Sequence, residues 1–185
     1  MTDPGNTFSD QVNPQPPPMR KIVILGCPGS GKSTFAVKLQ TLTGLPLHHL
    51  DRIWWKPDRS HISRPEFDAA LQKIMAEPGW ILDGDYSRTY EVRLAACDTV
   101  FFLDYGESVC LAGIRDRVGN VRDDMPWTDR ELDPALEAEV RRYRAENRPA
   151  VLELLKRYDR KTIHIFHTRA ETDEWLAGAG LTKAE

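Results

Sequence analysis

The sequence predicts an α/β fold in which helices cover both faces of a parallel β-sheet. Five short apolar segments have the composition of strands, and helical periodicity recurs between successive ones. The first four of these segments run into Gly26, Asp51, Asp83 and Asp104. Because ligands of parallel sheets bind beyond the carboxyl ends of the strands, we expect these four residues along one edge of the sheet, around a ligand.

The individual elements follow from apolar spacing and from helix start and stop signals. Ser63 opens a helix in a capping box, with Pro65 in the first turn and Glu66 three positions on. Residues 52–63 are predicted to form a loop, and 119–132 an exposed excursion. The predicted strands are 22–25, 47–50, 80–82, 99–103 and 162–166, and the predicted helices are 35–42, 63–75, 90–96, 108–118, 136–143, 151–158 and 171–177.

The first predicted strand leads directly into the segment GCPGSGKST, residues 26–34. Two glycines separated by four residues and followed by lysine and serine form the phosphate-binding loop (P-loop) pattern. Glycines let backbone amides turn inward around phosphate oxygens, and the following helix adds the positive end of its dipole. The candidate nucleotide-binding residues are therefore Gly26, Pro28, Gly29, Ser30, Gly31, Lys32, Ser33 and Thr34.

Three side chains form a predicted site for the terminal phosphates and Mg²⁺. Lys32 supplies a mobile cation for the phosphates, and Ser33 a hydroxyl for the metal. Asp83 ends the strand 80–82, where P-loop proteins hold Mg²⁺ directly or through a water. A strand-ending aspartate also commonly caps a turn, but beside a P-loop the metal role is the favoured interpretation.

These residues resemble a known superfamily. The P-loop together with GWILDGDYSRT, residues 79–89, is similar to the adenylate-kinase-like P-loop phosphotransferases, whose third strand ends in a leucine-aspartate-glycine turn followed by an arginine. GLPLHHLD, WWKP, DGDYSRT and RPAVLELLKRY look most like the topology modulation (FlaR-like) members of that group, over residues 20–178. The resemblance implies the P-loop NTPase fold: a five-stranded parallel sheet in the order 2-3-1-4-5, a substrate-binding insertion after strand two and an arginine-bearing lid.

The chain also departs from the adenylate kinases. Where they have Phe-Pro between the glycine and the arginine, this chain has Asp85, Tyr86 and Ser87. The extra carboxylate repels a monophosphate placed there, so AMP is a poorly supported acceptor. The excursion 119–132 predicts a short lid, and it lacks the cysteines of a zinc-binding lid.

A candidate acceptor site follows the second and third predicted strands. Asp51 is either a general base for an acceptor hydroxyl or a turn-capping aspartate. Trp54 and Trp55 either stack on a base or sugar or pack in the interior. Arg88 either grips a phosphate or carboxylate or remains an ordinary surface side chain. The candidate substrate-binding residues are Asp51, Trp54, Trp55, Asp85, Tyr86 and Arg88.

Arginines near the lid are candidates for stabilising the transferred charge. Arg115 and Arg117 would lie on nearly opposite faces of a helix, and Arg122 would return to the face of Arg115 if that helix continued past Gly119. Arg148 and Arg169 are weaker candidates, the latter beside the adenine. The predicted catalytic residues are Lys32, Asp51, Arg88, Arg115, Arg117 and Arg122.

The composition is that of one ordinary globular domain. Of the 185 residues, 41% are hydrophobic and 29% are charged. Residues 1–20 contain five of the thirteen prolines and predict a disordered leader, and residues 21–185 predict a single kinase-like domain with a lid near 119–132. No apolar run approaches the ~20 residues of a membrane span, and no secretory signal is present. With three scattered cysteines, these features predict a cytoplasmic protein.

The residues favour an ATP- and Mg²⁺-dependent phosphotransferase whose acceptor is a small molecule such as a nucleoside or nucleotide. The alternative is a switch protein that hydrolyses ATP slowly and contacts a protein or DNA partner through 119–148. A net charge of −3 argues against a nucleic-acid partner. The chain has no N-K-x-D motif, which argues against GTP as the bound nucleotide. A monomer and a homodimer are equally compatible with the sequence.

Overall fold

A single five-stranded parallel sheet forms the centre of the computed structural model, which describes residues 19–180. Its strand order is β2-β3-β1-β4-β5, which confirms the predicted order. The predicted leader, apart from its last two residues, lies outside the described residues, whereas Met19 already packs against the core. The strands are β1 Lys21–Gly26, β2 Leu47–His49, β3 Trp80–Asp83, β4 Thr99–Leu103 and β5 Thr162–Phe166.

Helices connect the strands and cover both faces of the sheet. None of the helices described is long and apolar enough to cross a membrane. A 3₁₀ turn at Ser87–Thr89 precedes α4. The helices are α1 Lys32–Thr43, α2 Leu50–Trp54, α3 Arg64–Met75, α4 Tyr90–Ala96, α5 Glu107–Arg115, α6 Pro134–Glu146, α7 Arg148–Arg157 and α8 Arg169–Gly180.

The central strand β1 divides two hydrophobic cores. Ile22 and Ile24 face the first core, which α1, α5, α6 and α8 cover. Val23 and Leu25 face the second core, which α2, α3, α4 and α7 cover. All four side chains are fully buried, and each contributes on the order of 1.5–3 kcal/mol on burial. A strand buried on both faces explains why this segment is continuously apolar rather than alternating.

The predicted start of α3 is confirmed in atomic detail. The Ser63 hydroxyl accepts from the amide of Glu66 at 3.4 Å, and the Glu66 carboxylate accepts from the amide of Ser63 at 2.8 Å. Pro65 occupies the first turn, where its missing N–H costs no hydrogen bond.

The loop predicted after the second strand is partly helical. β2 ends at His49 rather than at Leu50, and Asp51 lies inside the short helix α2. Leu50 is fully buried in the second core, and a Cβ added to Gly84 would lie only 2.9 Å from the Leu50 Cβ. This packing against the turn after β3 holds residues 50–54 in a helical turn. The two adjacent tryptophans and the nearby proline had instead indicated a loop.

Helix α5 ends earlier than predicted, at Arg115 rather than near Val118. The side-chain amide of Asn120 donates to the carbonyl of Asp116 at 2.6 Å, and the amide of Val118 donates to the carbonyl of Arg115. These bonds replace the next helical turn, as asparagine side chains often do. The predicted helix 108–118 is therefore too long, so Arg117 lies beyond α5, and the continuation past Gly119 that would return Arg122 to the face of Arg115 does not occur.

Candidate active site

The P-loop connects the central strand β1 to helix α1 at the carboxyl edge of the sheet. Gly29 and Gly31 have φ angles of 82° and 92°, a left-handed conformation that glycine adopts without strain. A Cβ on Gly29 would lie 2.0 Å from the backbone oxygen of Cys110, so the loop rests directly on α5. The turn therefore depends on glycine for both backbone conformation and packing.

Lys32 spans its own loop. Its ammonium group donates to the carbonyl oxygens of Gly26 at 2.7 Å and Cys27 at 3.0 Å, and the side chain is buried. Ser30, also buried, has a hydroxyl without a hydrogen-bond partner among the described residues. A lysine and an unpaired hydroxyl on a glycine-bent loop are the donors that a phosphate requires.

Asp83 and Ser33 fit the predicted Mg²⁺ site. Asp83 ends β3, is 3% exposed, and has one carboxylate oxygen, Oδ1, without a partner in the described part of the chain. Across residues 19–180, no group of three or more His, Cys, Asp or Glu side chains could hold a metal ion unaided. Mg²⁺ typically takes only one or two carboxylates and completes its shell with water and phosphate oxygens. The donors present are thus sufficient for a metal bound together with a nucleotide.

His49 is a site residue that the sequence analysis did not identify. It ends β2, and its Nδ1 lies 2.8 Å from Oδ2 of Asp83. Burial opposes protonation of the ring, but the hydrogen bond and charge of Asp83, with the charges of Asp124 and Asp51, raise the pKa of His49 above its ordinary value. The available signal was the position of this histidine in the predicted strand 47–50, two residues before Asp51.

Asp124 is the second residue that was missed, and it comes from the predicted lid. Its Oδ2 accepts the Ser33 hydroxyl at 2.6 Å, and the guanidinium of Arg122 donates to both carboxylate oxygens at 3.0 and 2.5 Å. Burial opposes ionisation, but these bonds together hold the pKa of Asp124 below its usual range. From the sequence, 119–132 is predicted only as an exposed excursion that forms a short lid, with no role for Asp124.

A cleft of about 710 Å³ joins the P-loop, the lid and the start of α8. Arg117, Arg122 and Arg169 all line it. Burial, followed by the charge of Arg122, lowers the pKa of Arg117. Two cations crowded into one cleft favour an anion between them. At the far side of the cleft, the Tyr105 hydroxyl is hydrogen-bonded to that of Thr172.

Three other predicted arginines are engaged in ion pairs. Arg88 donates to both oxygens of Asp68 on α3 at 3.0 and 2.5 Å, and Arg115 pairs with Glu137 on α6 at 3.4 Å. Neither of these two lines the cleft. Arg148, the weaker candidate, grips Asp104 with two bonds of 2.6 and 2.7 Å. Of the predicted charge-stabilising arginines, Arg117 and Arg122 are therefore the ones that the fold brings to the P-loop.

Asp51 and Tyr86 meet between α2 and the turn after β3. The Tyr86 hydroxyl donates to Oδ1 of Asp51 at 2.7 Å. Burial raises the pKa of Asp51, the Tyr86 bond partly offsets this, and the charges of Asp83 and Asp124 raise it further. The charge of Lys32 lowers the pKa of Asp51, so this carboxylate lies within electrostatic reach of the P-loop.

The two tryptophans have different environments. Trp54 stacks on His61 with ring centroids 4.4 Å apart, and it contacts Phe67 and Tyr86 edge-on. Trp55 contacts Trp127 of the lid edge-on at 5.6 Å. Both are partly buried, but Trp54 packs against the second core, whereas Trp55 joins the acceptor side to the lid.

The turn after β3 is held by an arginine outside the predicted site. Arg93 is fully buried and donates to the carbonyls of Gly84 at 2.9 Å and Tyr86 at 3.1 Å. Asp85 accepts a hydrogen bond from the Tyr90 hydroxyl. The turn therefore presents Tyr86 toward Asp51 while Arg93 remains in the interior.

These features define an α/β protein with the P-loop NTPase fold. It has a cleft beside the P-loop at the carboxyl edge of its sheet. Among solved structures, the fold is similar to shikimate kinase from Bacteroides thetaiotaomicron, with 14% identity and a TM-score of 0.55, covering 86% of this chain and 96% of that one. It is equally similar to shikimate kinase from Acinetobacter baumannii in complex with shikimate, with 16% identity and a TM-score of 0.55, covering 90% and 96%. No protein-family model and no curated protein matches the chain.

Proposed function

We propose that this protein is an ATP- and Mg²⁺-dependent phosphotransferase that acts on a hydroxyl group of a small molecule. The observation that carries the proposal is the cleft that the P-loop lines together with Arg117 and Arg122, and the charge of Asp83 acts on Arg117. The structural neighbours support a small-molecule kinase, because both are shikimate kinases.

The donor side would be formed by residues of the P-loop and β3. Lys32 would leave its loop carbonyls for the terminal phosphates, and the P-loop amides would hold the phosphate chain. Ser33 and Asp83 would hold Mg²⁺, which when bound neutralises phosphate charge and orients the phosphate chain. Arg117 and Arg122 would stabilise the charge on the transferred group.

The acceptor side would be formed around Asp51. The acceptor oxygen attacks the terminal phosphorus, the bond from that phosphorus to the bridging oxygen of ADP breaks, and the acceptor proton passes to Asp51. A carboxylate whose pKa is raised by burial is a better base than an exposed one. Trp54 and Trp55 would line this side of the site.

The charges around Asp51 favour an acceptor without a phosphate or carboxylate of its own. Asp51 and Asp85 place negative charge on this side of the site. The two arginines of the turn are engaged elsewhere, Arg88 by Asp68 and Arg93 by backbone carbonyls. We therefore place an uncharged polyhydroxyl compound or a nucleoside ahead of a nucleotide.

Five further expectations belong to the same proposal. The resemblance of 44–51, 54–57, 83–89 and 148–158 to the topology modulation (FlaR-like) subgroup remains our suggestion for the finer family. Residues 21–185 would form one domain with 119–132 as its lid, and the protein would act in the cytoplasm. Arg169, at the start of α8 in the cleft, would lie beside the adenine. The oligomeric state would be a monomer or a homodimer.

The test is transfer from labelled ATP to a panel of acceptors, with Lys32→Ala as the loss-of-function variant. The panel contains nucleosides, neutral sugars, nucleoside monophosphates and shikimate. We expect the unmodified protein to label a hydroxyl acceptor and Lys32→Ala to lose transfer with an unchanged melting temperature. Lys73→Ala, which removes an exposed lysine of α3, is the matched control.

Two results would contradict the proposal. Equal turnover by Lys32→Ala would remove the mechanism, because no other lysine of the P-loop could replace it. Slow release of phosphate to water, with no acceptor labelled anywhere in the panel, would favour the switch protein instead.

A further inference from the structure

We propose that Asp124, a lid carboxylate, makes nucleotide binding depend on Mg²⁺ by admitting the metal-bound nucleotide and repelling the free one. The inference rests on the proposed binding of ATP at the P-loop. It assigns to the lid a selective role that the P-loop pattern does not include.

The contact with Ser33 is direct. The Ser33 hydroxyl donates its proton to Oδ2 of Asp124 at 2.6 Å, so its oxygen lone pairs remain available for a metal. Asp124 is 5% exposed and is held from the other side by both donors of the Arg122 fork. The carboxylate is therefore fixed beside the hydroxyl that the metal requires, rather than resting there as a mobile surface group.

Two other carboxylates of the site, Asp83 and Asp51, have different partners. Asp83 has given one oxygen to His49, and Asp51 accepts the Tyr86 hydroxyl. Of these three, Asp124 is the one in hydrogen-bond contact with Ser33. The charges of Asp83 and Asp124 both act on Asp51, so the three form one negative region beside the P-loop. These carboxylates attract a divalent cation, and they oppose the attraction that Arg117 and Arg122 exert on an uncompensated triphosphate.

The position of Asp124 is also set from the acceptor side. Arg52 of α2 donates to the carbonyl of Met125 at 3.1 Å, and Trp127 contacts Trp55. The lid thus contacts α1 through Asp124 and α2 through Met125, two neighbouring residues. A variant that removes the Asp124 charge but keeps its shape should leave these contacts in place.

The experiment is calorimetric titration of ATP in excess Mg²⁺ and in EDTA, for the unmodified protein and for Asp124→Asn. The asparagine keeps an acceptor oxygen for Ser33 while losing the charge. We expect the ratio of the two dissociation constants, EDTA over Mg²⁺, to fall about tenfold or more in Asp124→Asn, with tighter binding of free ATP. Glu131→Gln removes an exposed charge of the lid that does not line the cleft and should leave the ratio within about twofold.

The outcomes separate this inference from the proposed function. If the unmodified protein binds no ATP in Mg²⁺, the proposed function and the inference both fail. If it binds ATP and Asp124→Asn keeps the original ratio, the inference alone is overturned. Should Asp124→Asn unfold because Arg122 loses its charged partner, the double variant Arg122→Gln and Asp124→Asn, compared with the unmodified protein, gives the same ratio test without an unpaired buried charge.

Discussion

Gly29 brings the P-loop into direct contact with α5. At this residue a Cβ would lie 2.0 Å from the Cys110 carbonyl oxygen and 2.9 Å from Ile114, and φ is +82°. We expect Gly29→Ala to lower the free energy of unfolding by about 2–3 kcal/mol, because overpacking and left-handed strain add. Denaturant unfolding measures this, and Gly178→Ala, in open space on α8, is the control that should not destabilise the protein.

The Asp51–Tyr86 pair gives a residue-scale prediction for the pH dependence of transfer. Burial raises the pKa of Asp51, and the Tyr86 hydrogen bond lowers it. The base acts only when ionised, so activity should fall as pH decreases through a pKa above the ordinary aspartate value. Tyr86→Phe removes the lowering contribution, so we expect the acidic limb of the kcat/KM profile to move to higher pH. A limb that stays in place or moves to lower pH would show that Asp51 is not the base.

Helix α3 shows how much one capping residue contributes at the scale of an element. The side chain of Ser63 accepts from the Glu66 amide, and the Glu66 carboxylate returns a bond to the Ser63 amide. We expect Ser63→Ala to lower the free energy of unfolding by about 1 kcal/mol. Ser108→Ala, at an exposed position of α5, should change it by no more than about 0.5 kcal/mol in the same denaturant titration.

At the scale of the whole molecule, the chain changes faces between α6 and α7. Val140 and Tyr143 of α6 pack in the first core, whereas Val151 and Leu154 of α7 pack in the second. Arg148 stands at this crossing and holds Asp104, whose side chain is 2% exposed, at the end of β4.

Because Arg148 binds a buried carboxylate where the chain changes faces, we expect its removal to lower the free energy of unfolding substantially. Arg148→Ala leaves the buried Asp104 carboxylate without its bidentate partner, so we expect a loss of about 3 kcal/mol in the free energy of unfolding. Arg142→Ala breaks an exposed pair with Glu146 in the preceding helix and should cost less than about 1 kcal/mol. Equal effects in thermal or denaturant unfolding would show that the Asp104 pair is no more than a surface contact.

Local signals were sufficient for the strands and for most helices. The strands β3, β4 and β5 and the cap of α3 lie where apolar runs and a four-residue capping pattern placed them. Helix α2 was missed, because its buried anchor, Leu50, packs against Gly84 from a distant part of the chain. The early end of α5 was also missed, because it depends on a side-chain bond from Asn120 that competes with the helix.

The sequence alone determined the parallel sheet and the P-loop and predicted Lys32, Ser33 and Asp83 as donors, because each of these signals depends on residues close together in the chain. Only the tertiary structure decided which arginines reach the cleft, that His49 holds Asp83 and that Asp124 holds Ser33. Those contacts join residues 34 and 91 positions apart. No local period or propensity encodes such a pairing. It arises because the fold brings the ends of parallel strands and residues 119–132 together at the carboxyl edge of the sheet.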